Sequence, residues 1–242
     1  MRATQRILFV IAVVACATMV GTASAQQKGK GRGFGGGFGF GGGGNSLVTL
    51  AAVEAVQKEL GVSGDVAGKL TSLRDDLTAA RQKELQSAGI NPQDFQSITA
   101  EQRQKMVAIG NKLNDEFNPK LKALVSADQV KRLQQIQLQS ALRNQGPPAL
   151  TAPEVAAELK LTDDQRKKLE EVNTEFMQKQ RDLFGGGGGG GPEAFNKLRD
   201  ERTSKTMDVL TADQKTKLES LKGSAFDVSQ LGFGGGGRRG KN

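Results

Sequence analysis

Apolar residues return every three or four positions along most of the middle of the chain. Leu169, Val172, Phe176 and Leu183 do so over 163–184, with Lys179 at the one turn they skip. Val66, Leu70, Leu73, Leu77 and Ala80 form the same pattern earlier, as do Met106, Ile109, Leu113 and Phe117, and then Val130, Leu133 and Ile136. That spacing puts side chains on one side of an α-helix. The intervening residues are mostly good helix formers, and the alternation typical of strands is scarce. The pattern predicts an all-α fold of long amphipathic helices. A helix over 162–184 would be about 34 Å long, and a stripe this narrow buries only one face, so thin helical layers are expected rather than a thick core. Pro119, within "FNPKL", predicts a kink or break near Asn118, because proline lacks the helical N–H and restricts the residue before it.

The pattern is duplicated. Val56, Glu59, Leu60, Asp65, Lys69 and Leu70 reappear 99 positions later as Val155, Glu158, Leu159, Asp164, Lys168 and Leu169. Asn111, Lys112, Leu113, Asp115, Glu116, Lys120, Ala127, Asp128, Gln129 and Leu133 reappear 85 positions later, from Asn196 to Leu218. The offsets differ because the loop between the matching blocks is "SAGINPQDFQSITAEQ" in one copy and a polyglycine tract with "PEAF" in the other. Two repeated helical-hairpin units are therefore expected, 46–145 and 146–231, divided at "NQGPPAL".

A short phrase recurs within these units: "LTDDQ" at 161–165 and "LTADQ" at 210–214. A threonine followed three residues later by glutamine predicts a capping box. Its hydroxyl accepts from the glutamine N–H, and the glutamine side chain accepts from the threonine N–H. Boxes are thus expected at Thr162 with Gln165, Thr211 with Gln214, Ser126 with Gln129, and Thr99 with Gln102, with Leu161 and Leu210 as the leading apolar residues. The equivalent "VSGDV" keeps Ser63 but has Val66 in place of the glutamine, so that box should be half lost. Each cap contributes about 1 kcal/mol.

Composition changes the picture mainly at the ends. Residues 1–25 combine Arg2 and Arg6, an apolar run and "GTASA", which predicts a secretory signal peptide cleaved between Ala25 and Gln26, and hence export to a periplasmic or external space. The single cysteine, Cys16, lies in that leader, where "VVAC" loosely resembles a lipidation site; a small apolar residue in a discarded leader accounts for it as well. Three glycine tracts, within 26–45, at 185–191 and at 232–242, hold eleven, seven and six glycines, 24 of the 32. Such stretches lose much backbone entropy on ordering and bury little, so they are expected to be disordered tethers flanking and interrupting the helices.

The formal charge of +8 falls to +6 without the leader, and Lys28, Lys30, Arg32, Arg238, Arg239 and Lys241 supply all of it. Residues 45–231 are neutral. The basic tails suit weak contact with an anionic envelope surface, and the expected export argues against a nucleic-acid partner.

The chain has no His, Trp or Tyr, and without Cys16 it has no thiol. Imidazole catalysis, thiolate chemistry and His/Cys metal sites are excluded, and no cofactor is expected. Asp75 with Asp76 and Glu170 with Glu171 are adjacent on helices and point apart, unlike a catalytic carboxylate pair. "GGGGGGG" lacks the Lys-Ser/Thr of a phosphate-binding loop. An enzyme is not expected.

The LTxxQ phrases near the two ends of a predicted helical hairpin, in an exported chain free of His and Cys, resemble the LTxxQ-motif (Spy/CpxP-like) family of periplasmic proteins over about 47–228. The resemblance implies a cradle of long helices acting as an ATP-independent chaperone for unfolded envelope proteins, with the motifs in a structural role. Two copies in one chain would let one molecule stand in for that family's dimer, with self-association as the other arrangement. A regulatory module for one sensor and a structural envelope protein are the alternative functions. Phe117, Phe176 and Met177 would contact clients if they face the cradle, and would be core if they pack inward.

Overall fold

The computed structural model describes residues 46–91, 98–185 (side chains to 183) and 191–232. Among these residues the regular structure is helical throughout and there is no strand, so the fold is all-α. The expected leader with its cleavage site at Ala25 and Gln26, Cys16, and most of the three glycine tracts lie outside the described residues.

The duplication seen in the sequence is a duplication of elements. The first copy runs α1 (Leu47–Ala51), α2 (Glu54–Glu59), α3 (Gly64–Ser87), α4 (Ala100–Lys122) and α5 (Ala127–Gln145). The second runs α6 (Pro147–Thr151), α7 (Pro153–Glu158), α8 (Asp163–Gly185), α9 (Pro192–Asp208) and α10 (Ala212–Lys222), and a 3-10 turn, Val228–Leu231, follows. In each copy two long helices pack along one another, α3 on α4 and α8 on α9, while the short leading helix packs against the first of them.

The predicted stripes are the buried faces. Leu70, Leu73 and Leu77 of α3, Leu113 and Phe117 of α4, and Leu133 and Ile136 of α5 form the first core with Leu50 and Val56. Leu150, Val155, Leu159, Leu161, Leu169, Leu210 and Leu218 form the second. Repeat-related pairs such as Leu70 with Leu169 and Leu133 with Leu218 are fully buried in both. Burying each leucine contributes about 1.5–3 kcal/mol of transfer free energy.

Two features cross the boundary read from the sequence. Helix α5 serves both cores, with Leu133 and Ile136 in the first and Leu138 in the second. Leu231 belongs to the first core, with Phe226 and Val228 packed against it, although the sequence assigns them to the second copy. Gln139 of α5 directs this return. Its amide donates to the Lys222 and Ser224 carbonyls, both at 2.8 Å, and accepts from the Phe226 N–H at 2.8 Å.

The break expected at Pro119 does not occur: α4 continues to Lys122. Pro119 forgoes the one bond its N–H would make to the Asp115 carbonyl, and Leu121 just beyond it is fully buried and holds the helix against the core.

The turn after the second short helix shows how the copies diverged under one backbone requirement. Gly61 follows α2 with φ +65, and its counterpart Lys160 follows α7 with φ +51. In both turns the next residue donates back across the helix end, Val62 to the Gln57 carbonyl and Leu161 to the Ala156 carbonyl, both at 3.0 Å. This is a glycine-type helix stop occupied in the second copy by lysine. A non-glycine residue there costs about 1–2 kcal/mol, partly offset by glycine's greater unfolded-state entropy of about 0.5–1 kcal/mol. Lys160→Gly should therefore stabilise the protein by up to about 1 kcal/mol in urea unfolding; a loss of stability would show that Lys160 makes a compensating contact.

Candidate functional site

Four glutamines tie helix ends together. At each predicted box the hydroxyl and glutamine groups exchange the expected bonds: Thr99 with Gln102 at 2.9 and 3.1 Å, Ser126 with Gln129 at 2.8 and 3.2 Å, Thr162 with Gln165 at 3.1 and 3.2 Å, and Thr211 with Gln214 at 2.9 and 3.3 Å. The residue before each cap, Ile98, Val125, Leu161 or Leu210, is buried. At Ser63 the box is not half lost but absent, since Ser63 makes no cap hydrogen bond.

The glutamine amide then does what capping does not require. Gln129 Nε2 donates to the Leu60 carbonyl at the end of α2 (2.8 Å), and Gln214 Nε2 donates to the repeat-related Leu159 carbonyl at the end of α7 (3.1 Å). Gln165 Nε2 reaches the Val209 carbonyl after α9 (2.9 Å), and Gln102 Nε2 the Gly89 carbonyl after α3 (3.4 Å). In the second copy Gln165 and Gln214 also bond each other, Nε2 to Oε1, at 2.6 and 2.9 Å. Each amide there makes two donations and two acceptances, the full capacity of the group. The starts of α8 and α10 and the ends of α7 and α9 meet at this pair. The first copy has Val66 in place of Gln165, partly buried against the core.

Above that clasp, α8 and α9 are joined by charge. Lys179 bonds Glu175 at 3.0 Å and Glu201 at 2.5 Å, and Lys205 bonds Glu175 at 2.6 Å and Glu201 at 3.2 Å. The lysines hold both carboxyl groups below the usual carboxylate range, and the carboxylates raise both lysines. Beside this lattice Arg202 is 5% exposed and lies 4.0 Å over the Phe176 ring. Its guanidinium donates to the Gln145 and Arg143 carbonyls at 3.1 and 3.4 Å, which ties α9 to the junction between the copies. Burial, and then Arg199 nearby, push its pKa down to about 10, so it stays charged at neutral pH. Gly146 makes room for it: φ is +68, and a Cβ there would meet Arg202 Nε at 2.6 Å.

The first copy differs at the matching level. A cleft of about 120 Å³ opens between α3, α4 and the start of α1. Leu77 and Leu113 form its apolar lining, Gly110 leaves one wall bare, and Arg81, Thr78, Asn114, Ser46 and Thr49 supply polar groups. Ser46 and Thr49 bond each other at 2.8 Å, and the Thr78 hydroxyl donates to the Arg74 carbonyl at 2.9 Å. Arg81 is half-buried, and burial lowers its pKa.

Two of the three candidate client-contact residues take the inward alternative. Phe117 and Phe176 are 3% and 6% exposed and therefore belong to the interior, as residues of an inward stripe. Met177, one position round the helix, is half-buried. Val107, 46% exposed, is the one large apolar side chain exposed among the described residues. Arg81, Asn114 and Arg202 escape motif reading, because a lone arginine or asparagine on a helix has no signature. Aligning the copies would have flagged them, since Arg81 faces Gln180, Asn114 faces Arg199 and Arg202 faces Phe117 in the repeat. No group of three or more acidic, His or Cys side chains able to hold a metal occurs among the described residues, and no described helix is long and apolar enough to cross a membrane.

No family model matches the chain, nor does any curated protein or solved structure.

The clasp predicts coupling between its two amides. Gln165→Ala and Gln214→Ala should each cost about 1–2 kcal/mol, and the double variant should cost less than their sum by about 0.5 kcal/mol or more in a double-mutant cycle. Strict additivity would mean that the amide pair contributes nothing. The charge lattice predicts a stability plateau. Lowered carboxylates contribute above the ordinary glutamate pKa and lose that contribution as pH falls through their depressed values. Raised lysines contribute below the ordinary lysine pKa and lose it as pH rises through their raised values. Melting temperature should thus be highest between about pH 5 and 10 and fall on both sides, less so in about 1 M salt. Glu175→Gln with Glu201→Gln should flatten the acid limb.

Proposed function

We propose that the protein is an exported, ATP-independent chaperone-like binder of unfolded envelope proteins. The observation that carries this proposal is the pair of LTxxQ phrases, Leu161-Thr162-Gln165 and Leu210-Thr211-Gln214, acting as a clasp at the base of a two-helix arm. That is the structural role implied by the resemblance to the LTxxQ-motif family. The shape supports it. Two arms of long helices, α3 with α4 and α8 with α9, leave much of each helix available to a partner. Met106 and Met177 are half-buried toward the loop-joined ends, and methionine suits surfaces that accept varied sequences. Retention in the envelope would then be assisted by the basic tails.

A second reading has its own support. With Val107 the one large apolar side chain exposed among the described residues, the surface is sparse for general capture of unfolded chains. A regulatory module for one specific partner would need only a small patch of this kind.

Light scattering from a heat- or reductant-unfolded client, with the full chain added without ATP, separates the two. The chaperone proposal expects suppression at near-stoichiometric ratios, weakened when Met106 and Met177 are both changed to Ser. Failure of a folded, helical preparation to suppress aggregation would overturn it in favour of the specific partner.

A further inference from the structure

The two copies differ most informatively where the cleft lies. By the repeat offsets Leu77 corresponds to Phe176 and Gly110 to Phe195, so the wall and lining of the cleft carry phenyl rings in the second copy. There the two rings lie 6.5 Å apart, centroid to centroid, with Arg202 over Phe176 at 4.0 Å and Arg199 over Phe195 at 5.9 Å. The second copy thus fills its interhelical space with aromatic rings beneath arginines, and the first leaves about 120 Å³ beside an arginine. That space holds more than one water but is smaller than the roughly 300 Å³ of drug-sized pockets, so it suits a group the size of one side chain.

The polar groups at the cleft select the rest of the ligand. Neither the Arg81 guanidinium nor the Asn114 amide has a hydrogen-bond or ion-pair partner among the described residues, although both are half-buried. A half-buried cation without a carboxylate favours an anion. The guanidinium fork matches the two oxygens of a carboxylate, and one such cation balances one negative charge. The two leucines favour a ring against them, and the cation beside it adds the attraction already present at Phe176.

We propose that the cleft between α3, α4 and α1 binds an aromatic carboxylate, its ring against Leu77 and Leu113 and its carboxylate on Arg81 and Asn114. The ligand is either a free aromatic acid or the C-terminal phenylalanine of a peptide. Binding here does not depend on client capture by the arms.

N-acetylphenylalanine is the probe, titrated into the full chain at up to about 10 mM, where sites of millimolar affinity saturate. Backbone and side-chain amide shifts are followed by NMR. Saturable shifts at Gly110, Asn114 and Arg81 are expected, at least about tenfold weaker for N-acetylphenylalanine amide and for Arg81→Gln, because a bond to a charged group is lost. N-acetylalanine should not bind. Gly110→Phe, which copies the second repeat, should abolish binding. Gly110→Ala controls for the helix and should still bind, so a folding defect in the larger variant would not hide the result. Tighter binding of a Gly-Gly-Phe tripeptide with a free C-terminus than of the probe would assign the ligand to a peptide end, and weaker binding would assign it to a free acid. Equal affinity for acid and amide, shifts located elsewhere, or no shifts at all would overturn the proposal.

Discussion

Helix ends are the constraint on which this structure depends. A chain made of so many helices, several only one or two turns long, exposes unpaired N–H groups at every start and unpaired carbonyls at every stop. Serine or threonine alone satisfies a start. Here a glutamine three residues on satisfies the cap N–H with its oxygen and another helix's last carbonyl with its nitrogen. One side chain thereby meets two backbone needs and fixes the distance between two helices. Leucine, valine or isoleucine before the cap completes the joint by entering the core.

The joint made by Gln129 recurs at Gln214, while the start of the first long helix and the interior above it changed between the copies. Leu60 and Leu159, Leu70 and Leu169, and Gln129 and Gln214 keep the same roles in the two copies. Elsewhere the partners diverge. Val66 stands for Gln165, so the first copy closes its base with apolar packing and the second with a saturated pair of amides. Phe117 stands for Arg202, so an interior ring becomes a buried cation whose carbonyl partners lie at the junction of the copies. Gly110 and Leu77 stand for Phe195 and Phe176, and the space those rings would fill becomes the cleft beside Arg81.

The copies are not independent beads. Helix α5 lends side chains to both cores, and Gln139 on it captures the chain after α10 and turns Phe226, Val228 and Leu231 toward the first core. Arg132, also on α5, bonds Glu59 at 2.6 Å and the Ser224 carbonyl at 2.8 Å, joining the α2 end to the same returning segment. Among the described residues the helices expose one large apolar side chain, Val107.

By itself the sequence determined the long helices, the buried stripes, the duplication and the four caps. Each of these rests on interactions within a few residues: the 3.6-residue period, and a hydroxyl meeting an N–H three residues on. It also limited the chemistry, since a chain without histidine has no imidazole. Only the tertiary structure decided where the second half of each glutamine went, because Leu60 is 69 residues from Gln129 and Leu159 is 55 from Gln214. It also decided that Phe226, Val228 and Leu231 serve the first core and that Arg81 borders open space. These outcomes depend on which faces meet. A one-sided stripe records that a face is buried, whereas the partner that covers it is set by packing between distant segments.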